Sequence, residues 1–215
     1  MQIDLRTAQL LNSRLFHDLV GAVSAINTGL EFMDDAANAG DAMDLTRQSA
    51  DRLTRRLDLF RAAFGLGGGK QGELSLGDAT VLAAGWYADA KPALAWPGAD
   101  ALMAAGDVDP IAIKVLLIMT VLAEECLPRG GEVSVDVSKL PQGLGMAISA
   151  RGTGAKLPEG VVDALAPNCP AGSLTARSIA AHFGACLAAH LGARIEAAAA
   201  SDAVELAALF PSRPG

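Results

Sequence analysis

The sequence has few cysteines, no broad concentration of positive charge and no apolar run of membrane-spanning length. Its three cysteines are far apart and form no CxxC pair, so we expect neither a disulfide framework nor a zinc site. The net charge of -7 argues against a nucleic-acid partner, because no basic cluster stands out beyond Arg52, Arg55 and Arg56. The longest apolar stretch covers residues 111–123, and this is too short for a transmembrane helix. We therefore expect no membrane partner.

The composition is typical of a folded, helix-rich protein. Of the 215 residues, 51% are apolar, which favours a globular chain over a disordered one. A chain of this length forms one medium domain, or one small and one medium domain. The first residues show no signal-peptide pattern, so we expect a cytoplasmic protein.

The first part of the chain has the period of an amphipathic helix. Between residues 5 and 36, apolar side chains recur at spacings of four or three, as one helical face requires. These side chains are Leu11, Leu15, Leu19, Val23, Ile26, Leu30 and Met33. A turn at residues 38–41, with Asp41 as the N-cap, separates this helix from a second one over residues 42–64. Gly65 ends the second helix, and the glycines at 67–69 are expected to form a hinge.

A helical hairpin over residues 1–68 cannot bury both of its apolar stripes by itself. A second hairpin from an identical chain would complete a four-helix bundle about a two-fold axis. The alternative is that the hairpin packs on the rest of its own chain. Of the two, we favour the homodimer.

Residues 69–215 change to a mixed α/β pattern and form the second predicted domain. Predicted strands cover residues 73–76, 93–96, 132–137, 144–150, 194–199 and 203–210. Predicted helices cover residues 77–87, 109–127, 158–165 and 174–191. This order favours an α+β fold in which helices lie on one face of a mixed sheet.

His17 lies on the wrong face of the first helix to be a core residue. At about 100° per residue, it falls about 180° from the middle of the apolar arc. Small side chains share its face, namely Ser13, Gly21, Ser24 and Thr28. A neutral imidazole is a good nucleophile near neutral pH and can form a labile phosphoramidate. Surface histidines are common, however, so the position of His17 on the helix leaves open the alternative that it has no function.

The sequence around His17 resembles the phosphoacceptor box of dimeric histidine kinases, where an acidic and an aliphatic residue follow the histidine. More closely, residues 11–32, with HDLV at 17–20 and AINTGLE at 25–31, look like the ChpT family of histidine phosphotransferases. The kinase box usually has a proline five residues after the histidine, and Ala22 takes that place here. A kinase-type bend of the helix is therefore not expected.

The second domain is similar in order and length to the ATP-binding domain of histidine kinases but lacks three of its nucleotide-binding elements. Aligned on Gly130-Gly131, the places of the magnesium-binding asparagines hold Ile118 and Leu122, which cannot ligate a hard cation. The GTG sequence at 152–154 lacks the preceding acidic residue, and the phosphate-binding glycine-rich segment reads CPAGSL at 169–174. The resemblance implies a degenerate ATPase-like α/β sandwich that binds no ATP and no other cofactor.

The resemblance also implies a phosphorelay. His17 would accept a phosphoryl group from the receiver domain of a hybrid histidine kinase and pass it to response regulators. The receiver's own acidic residues would hold the Mg²⁺ needed for transfer. Asp18 could orient the imidazole or serve only as an exposed, solubilising acid. Arg14 could contact the phosphoryl oxygens or pair with Asp18 at i, i+4.

The expected docking surface is the outer face of the first helix. The residues assigned to it are Leu10, Ser13, Val20, Gly21 and Ser24, of which Leu10 and Val20 are expected to be exposed. Two other interpretations stay open, a divergent sensor kinase that still autophosphorylates and a non-catalytic dimeric adaptor. The remaining histidines, His182 and His190, are expected to have structural roles.

Overall fold

The computed structural model of the chain describes residues 4–33, 39–66 and 73–212. Helices α1 (Leu5–Phe32) and α2 (Ala39–Phe64) form the predicted hairpin. Asp4 caps α1, because its carboxylate accepts a hydrogen bond from the Arg6 amide at 2.7 Å. Asp41 is not a cap, since it lies inside the first turn of α2. The expected hinge at 67–69 lies outside the described residues.

The rest of the chain forms a layered α+β unit, as predicted. Its elements are α3 (Leu76–Tyr87), β1 (Pro92–Ala95), α4 (Ala99–Ala105), α5 (Pro110–Glu125), β2 (Gly131–Leu140), β3 (Gly143–Arg151), α6 (Val161–Ala164), α7 (Ile179–His190), β4 (Ile195–Ala200) and β5 (Ala203–Pro211). The sheet has five strands in the order β1-β2-β3-β5-β4. Strand β1 is parallel to β2, and the other neighbours are antiparallel.

The strand predicted at residues 73–76 is wrong. Ser75 is the N-cap of α3, and its hydroxyl accepts a hydrogen bond from the Asp78 amide at 3.1 Å. The Asp78 carboxylate in turn accepts a hydrogen bond from the Ser75 amide at 2.9 Å. This reciprocal capping box starts α3 inside the segment that was predicted to be a strand. Helix α4 was not predicted, and α6 and α7 are shorter than the helices expected at 158–165 and 174–191.

Helix α5 forms the centre of the core. Pro110 occupies its first turn, and the Asp109 carboxylate accepts a hydrogen bond from the Ile111 amide at 2.8 Å. Most side chains that follow along this helix are buried between the sheet and α7. A helix that is apolar on every side is expected at such a position. Its C-terminal end is consequently held firmly, and this end faces the hairpin.

The hairpin packs on its own second domain through the half nearest to that domain. Phe60 of α2 is buried, and its ring lies 5.5 Å from the Trp86 ring of α3. Phe64 makes a similar contact with Phe183 of α7, at 5.5 Å between ring centroids. The alternative of packing within one chain therefore holds for this half of the hairpin.

The far half of the hairpin keeps an uncovered apolar surface. Leu30 is 50% exposed and Val23 is 43% exposed on α1, while Met43 is 47% exposed on α2. Both α1 residues belong to the predicted apolar stripe. Homodimerisation stays a prediction that concerns this far half. Within the described ranges, no helix combines the length and apolar character needed to cross a membrane.

Candidate functional site

His17 projects from α1 into solvent, as its position opposite the apolar stripe predicted. Its side chain is 87% exposed. The ring atom Nδ1 lies 3.4 Å from Oδ1 of Asp18. Because a carboxylate accepts hydrogen bonds, this contact favours the tautomer with the proton on Nδ1, in which the lone pair of Nε2 is free. An imidazole in this tautomer presents one nucleophilic nitrogen to an approaching partner.

Asp18 is not an exposed, solubilising acid. Its side chain is only 12% exposed, although it is adjacent to the exposed His17. One carboxylate oxygen, Oδ2, accepts a hydrogen bond from Nε of Arg14 at 2.8 Å. The other oxygen faces the imidazole. Asp18 therefore joins the histidine to a partly buried ion-pair network.

Arg14 extends this network to the second domain. It makes the predicted i, i+4 pair with Asp18, and its Nη2 donates a hydrogen bond to Glu125 at the end of α5. Burial alone lowers the pKa of the Arg14 guanidinium, but the negative charges of Glu125 and Asp18 outweigh burial and raise it. Arg14 is thus a permanent cation held between two carboxylates. Its predicted contact with phosphoryl oxygens stays a prediction.

A cleft of about 980 Å³ lies between the hairpin and the second domain, and His17 lies on its wall. The arginines of the basic sequence cluster, Arg52, Arg55 and Arg56, line the same cleft from α2. The Arg56 guanidinium stacks over the Trp86 ring, 4.6 Å from its centroid. Burial and the neighbouring Arg52 charge lower the pKa of Arg56. Arg55 pairs with Asp89, and further carboxylates line the cleft, so the charge that it presents beside the histidine is mixed.

Most of the predicted docking residues are exposed around His17. Val20 is 59% exposed, and Ser13, Gly21 and Ser24 also face solvent. A Cβ added at Gly21 would meet no atom of another element within 4 Å. This part of α1 is therefore open to a second surface.

The predicted exposure of Leu10 is wrong, and Phe16 is an exposed residue that was not predicted. Leu10 is partly buried and packs against the core, because the second domain covers the first turns of α1. It is consequently not the exposed contact that we expected. Phe16 is 64% exposed directly before His17 and was not among the predicted docking residues. The signal for it was present in the sequence, namely a large aromatic residue outside the apolar stripe.

The residues that the kinase resemblance compares with nucleotide ligands make contacts within the protein. Ile118 and Leu122 are buried, with exposures of 0% and 1%. A Cβ on Gly184 would lie 3.0 Å from Cγ2 of Ile118, so α7 packs directly on α5 at this point. The Gly154 amide donates a hydrogen bond to the Asp202 carboxylate at 2.6 Å. The glycine segment at 152–154 is therefore hydrogen-bonded to the turn between β4 and β5.

Of the other histidines, His182 has the structural setting that was expected, whereas His190 is exposed. His182 is buried, with Nδ1 3.2 Å from the Ala164 carbonyl oxygen. The structure adds a contact that we did not foresee, since Sγ of Cys186 lies 3.5 Å from Nε2 of His182. His190 is exposed at the end of α7. In the part of the chain that the structure describes, no group of three or more His, Cys, Asp or Glu side chains could hold a metal ion.

Comparison with known proteins identifies the family. The family model for the histidine phosphotransferase C-terminal domain matches residues 76–203, which is more than half of the chain. The chain belongs to the histidine phosphotransferase family. The resemblance stated from the sequence is thereby confirmed, and so is a role for this phosphotransferase in phosphoryl transfer within two-component signalling.

Two relatives match this phosphotransferase over nearly its whole length. The protein phosphotransferase ChpT of Brucella abortus (strain 2308) is 29% identical over 199 residues, which cover 93% of each chain. A solved structure of a bacterial phosphotransferase matches with a TM-score of 0.80 and 27% identity, covering 97% of this chain and 98% of that one. Both similarities include the hairpin that carries His17.

Proposed function

We propose that His17 accepts a phosphoryl group from the aspartyl phosphate of one receiver domain and passes it to the aspartate of another. The observation that carries this proposal is an exposed imidazole whose Nδ1 faces a mostly buried carboxylate, that of Asp18. An incidental surface histidine needs no such partner. The hairpin also leaves room for a partner on the side where the ring projects.

The chemistry of the first step follows from the tautomer. The Nε2 lone pair attacks the phosphorus atom, an N–P bond forms, and the acyl O–P bond breaks as the receiver's aspartate leaves as a carboxylate. The ring then carries a positive charge, and its proton stays on Nδ1. The Asp18 carboxylate stabilises this imidazolium. In the second step, the carboxylate of another receiver attacks the same phosphorus atom, and His17 leaves as a neutral imidazole.

Two surfaces would position the receiver domains. The exposed face of α1 around Val20 and Gly21, extended by Phe16, offers an apolar contact for a receiver helix. The cleft beside it offers Arg52 and Arg56 of α2 to the acidic phosphorylation site of a receiver. That acidic site would hold the Mg²⁺, so this chain supplies the nucleophile and the docking geometry. A hybrid histidine kinase and response regulators are the partners that carry such domains.

We further propose that this phosphotransferase does not use ATP. The buried Ile118 and Leu122 support this, because neither offers an oxygen or nitrogen ligand for Mg²⁺. The Gly154 amide is committed to Asp202 within the protein. Phosphate would then enter through a receiver domain.

The proposed active form is a homodimer. The far half of the hairpin exposes Val23 and Leu30 on α1 and Met43 and Leu45 on α2. Two such hairpins would cover these side chains in a four-helix bundle. His17 lies on the opposite side of α1 from the predicted stripe, so it would stay accessible in the dimer.

Transfer from phosphorylated receivers tests the proposal. A panel of receiver domains is labelled with acetyl phosphate, freed of it, and mixed with the purified chain. We expect acid-labile label on the wild type and on His190→Ala, a matched exposed-histidine control, but none on His17→Ala. ATP alone should leave the chain unlabelled.

Each failure has its own meaning. Label on His17→Ala would show that another residue is the acceptor. Label from ATP alone would show a divergent kinase. An unlabelled wild type whose partner signalling survives His17→Ala would show a non-catalytic adaptor.

A further inference from the structure

A continuous chain of polar contacts connects the second domain to the phosphoacceptor. It runs from Glu125 through Arg14 and Asp18 to His17. We propose that Glu125 is a positioning residue for phosphoryl transfer, which acts through Arg14 on the orientation of Asp18 and the His17 ring. This inference rests on the proposed function of His17 and assigns a role to the domain that resembles an ATPase.

The geometry of Arg14 makes the coupling direct. Its guanidinium is planar and rigid, so the two hydrogen bonds that it donates are oriented relative to each other. Nε donates to Oδ2 of Asp18 at 2.8 Å, while Nη2 donates to Oε1 of Glu125. With Oδ2 held in this way, Oδ1 of Asp18 is directed at Nδ1 of the imidazole. Glu125 thus holds the guanidinium plane at Nη2, and Asp18 holds it at Nε.

Burial makes these contacts stronger than surface pairs. The side chains of Arg14, Asp18 and Glu125 are only 18%, 12% and 15% exposed. A surface pair at i, i+4 is weak by itself and is easily exchanged for water. Glu125 adds a partner on α5, a different element. This second partner restrains the Arg14 guanidinium when side chains on the surface of α1 rearrange. The carboxylate of Asp18 therefore depends on the second domain for its fixed orientation.

Glu125 is also well anchored. It is the last residue of α5, two positions after the buried run of that helix ends at Ala123. The Cys126 amide closes the helix end through hydrogen bonds to the Leu122 and Ala123 carbonyl oxygens, each at 3.2 Å. A charged group on such a rigid support can hold a reacting group in place. Helix α5, in which Ile118 and Leu122 stand in place of kinase ligands, would thus contribute to transfer by holding Glu125 in position.

Replacing Glu125 by leucine tests the proposal, because leucine keeps similar volume and removes the acceptor. We expect Glu125→Leu to slow transfer from a phosphorylated receiver roughly tenfold, less than the hundredfold cost of a 1 Å misplacement. The ¹⁵N shifts of the His17 ring should move toward those of an unconstrained imidazole, as the Nδ1–H form loses its fixed acceptor. Glu125→Gln, which keeps an acceptor oxygen, should restore most of the rate. Glu205→Leu is the matched control, because Glu205 pairs with Arg151 at 3.8 Å on strands remote from α1.

A second variant protects the test against misfolding. Arg14→Lys keeps the charge but loses the planar fork, so it should slow transfer and move the His17 shifts in the same direction. The proposal is overturned if Glu125→Leu keeps the wild-type rate. If Glu125→Leu does not fold, a wild-type rate of Arg14→Lys overturns it. It is also overturned if the rate falls while the His17 ¹⁵N shifts stay unchanged. A wild type that accepts no phosphate would instead refute the proposed function, and the ring shifts would still decide the positioning question.

Discussion

Replacing Gly21 by alanine should make the chain more stable but a slower phosphate acceptor. Gly21 lies in the interior of α1, and no atom of another element lies within 4 Å of the place that a Cβ would take. Glycine costs about 0.5–1 kcal/mol in a helix interior relative to alanine. The free energy of unfolding should therefore rise by about that amount. For a chain of this size, the corresponding increase in Tm is about 1–4 °C.

The same methyl group should interfere with docking. Gly21 lies one turn after His17, on the face where a receiver has to approach to bring phosphorus within reach of Nε2. A misplacement of about 1 Å can cost a hundredfold in rate, and a small shift of the partner should cost about tenfold. Thermal unfolding followed by circular dichroism measures the stability, and single-turnover transfer from a phosphorylated receiver measures the rate. Gly40→Ala is the control, because it adds the same methyl group at an equally open position at the far end of the hairpin.

Two results would refute this reasoning. Unchanged transfer by a stabilised Gly21→Ala variant would show that no partner approaches α1 closely at this point. A lower Tm would show that the position is not open, contrary to its surroundings in the structure.

Three further predictions concern the hairpin and the second domain. Gly29→Ala should lower the free energy of unfolding by about 1–2 kcal/mol in urea titrations, because a Cβ there would collide with the Thr46 side chain of α2; an increase would contradict this close approach. Leu30→Glu should shift the protein from dimer to monomer in analytical ultracentrifugation. Val81→Glu is the control and should not, because it lies at a 72% exposed position on α3. Equal sedimentation of both variants would refute the proposed dimer surface. Hydrogen bonds from the N-cap serine of α3 lower the pKa of Asp78 below its ordinary 3.8, so its contribution is present above that pH and is lost as the pH falls through the lower, folded-state pKa. Asp78→Asn should therefore lose less stability than the wild type between about pH 5 and pH 2 in denaturation series, and parallel losses would contradict the assignment.

Local patterns were sufficient to predict the hairpin, four of the sheet strands to within a few residues and the outward direction of His17. The period of the apolar side chains in α1 decides which side faces the core, and this period is visible in the sequence. Strand β1 was also located, since its apolar residues stand between a turn and a proline. At residues 73–76 the prediction failed because the capping box of α3 was not recognised.

Contacts between distant parts of the chain could not be predicted. Glu125 is separated from Arg14 by 111 positions, and no local pattern indicates that the end of α5 meets α1. Leu10 was placed on the docking face because the helical period of apolar residues identifies only one covered side of α1. The second domain covers the first turns of α1 from another side and buries part of that residue. The same long-range packing makes Asp18 a mostly buried acid.

The position of the phosphoryl group on the chain tests the central claim most directly. The protein is labelled with ¹⁵N in its histidine rings, phosphorylated by a receiver domain and examined by phosphorus–nitrogen correlation spectroscopy. The structure predicts coupling between phosphorus and Nε2 of His17, with the proton retained on Nδ1 beside Asp18. Coupling to Nδ1 of His17, coupling to His182 or His190, or phosphorus without a nitrogen partner would contradict the claim.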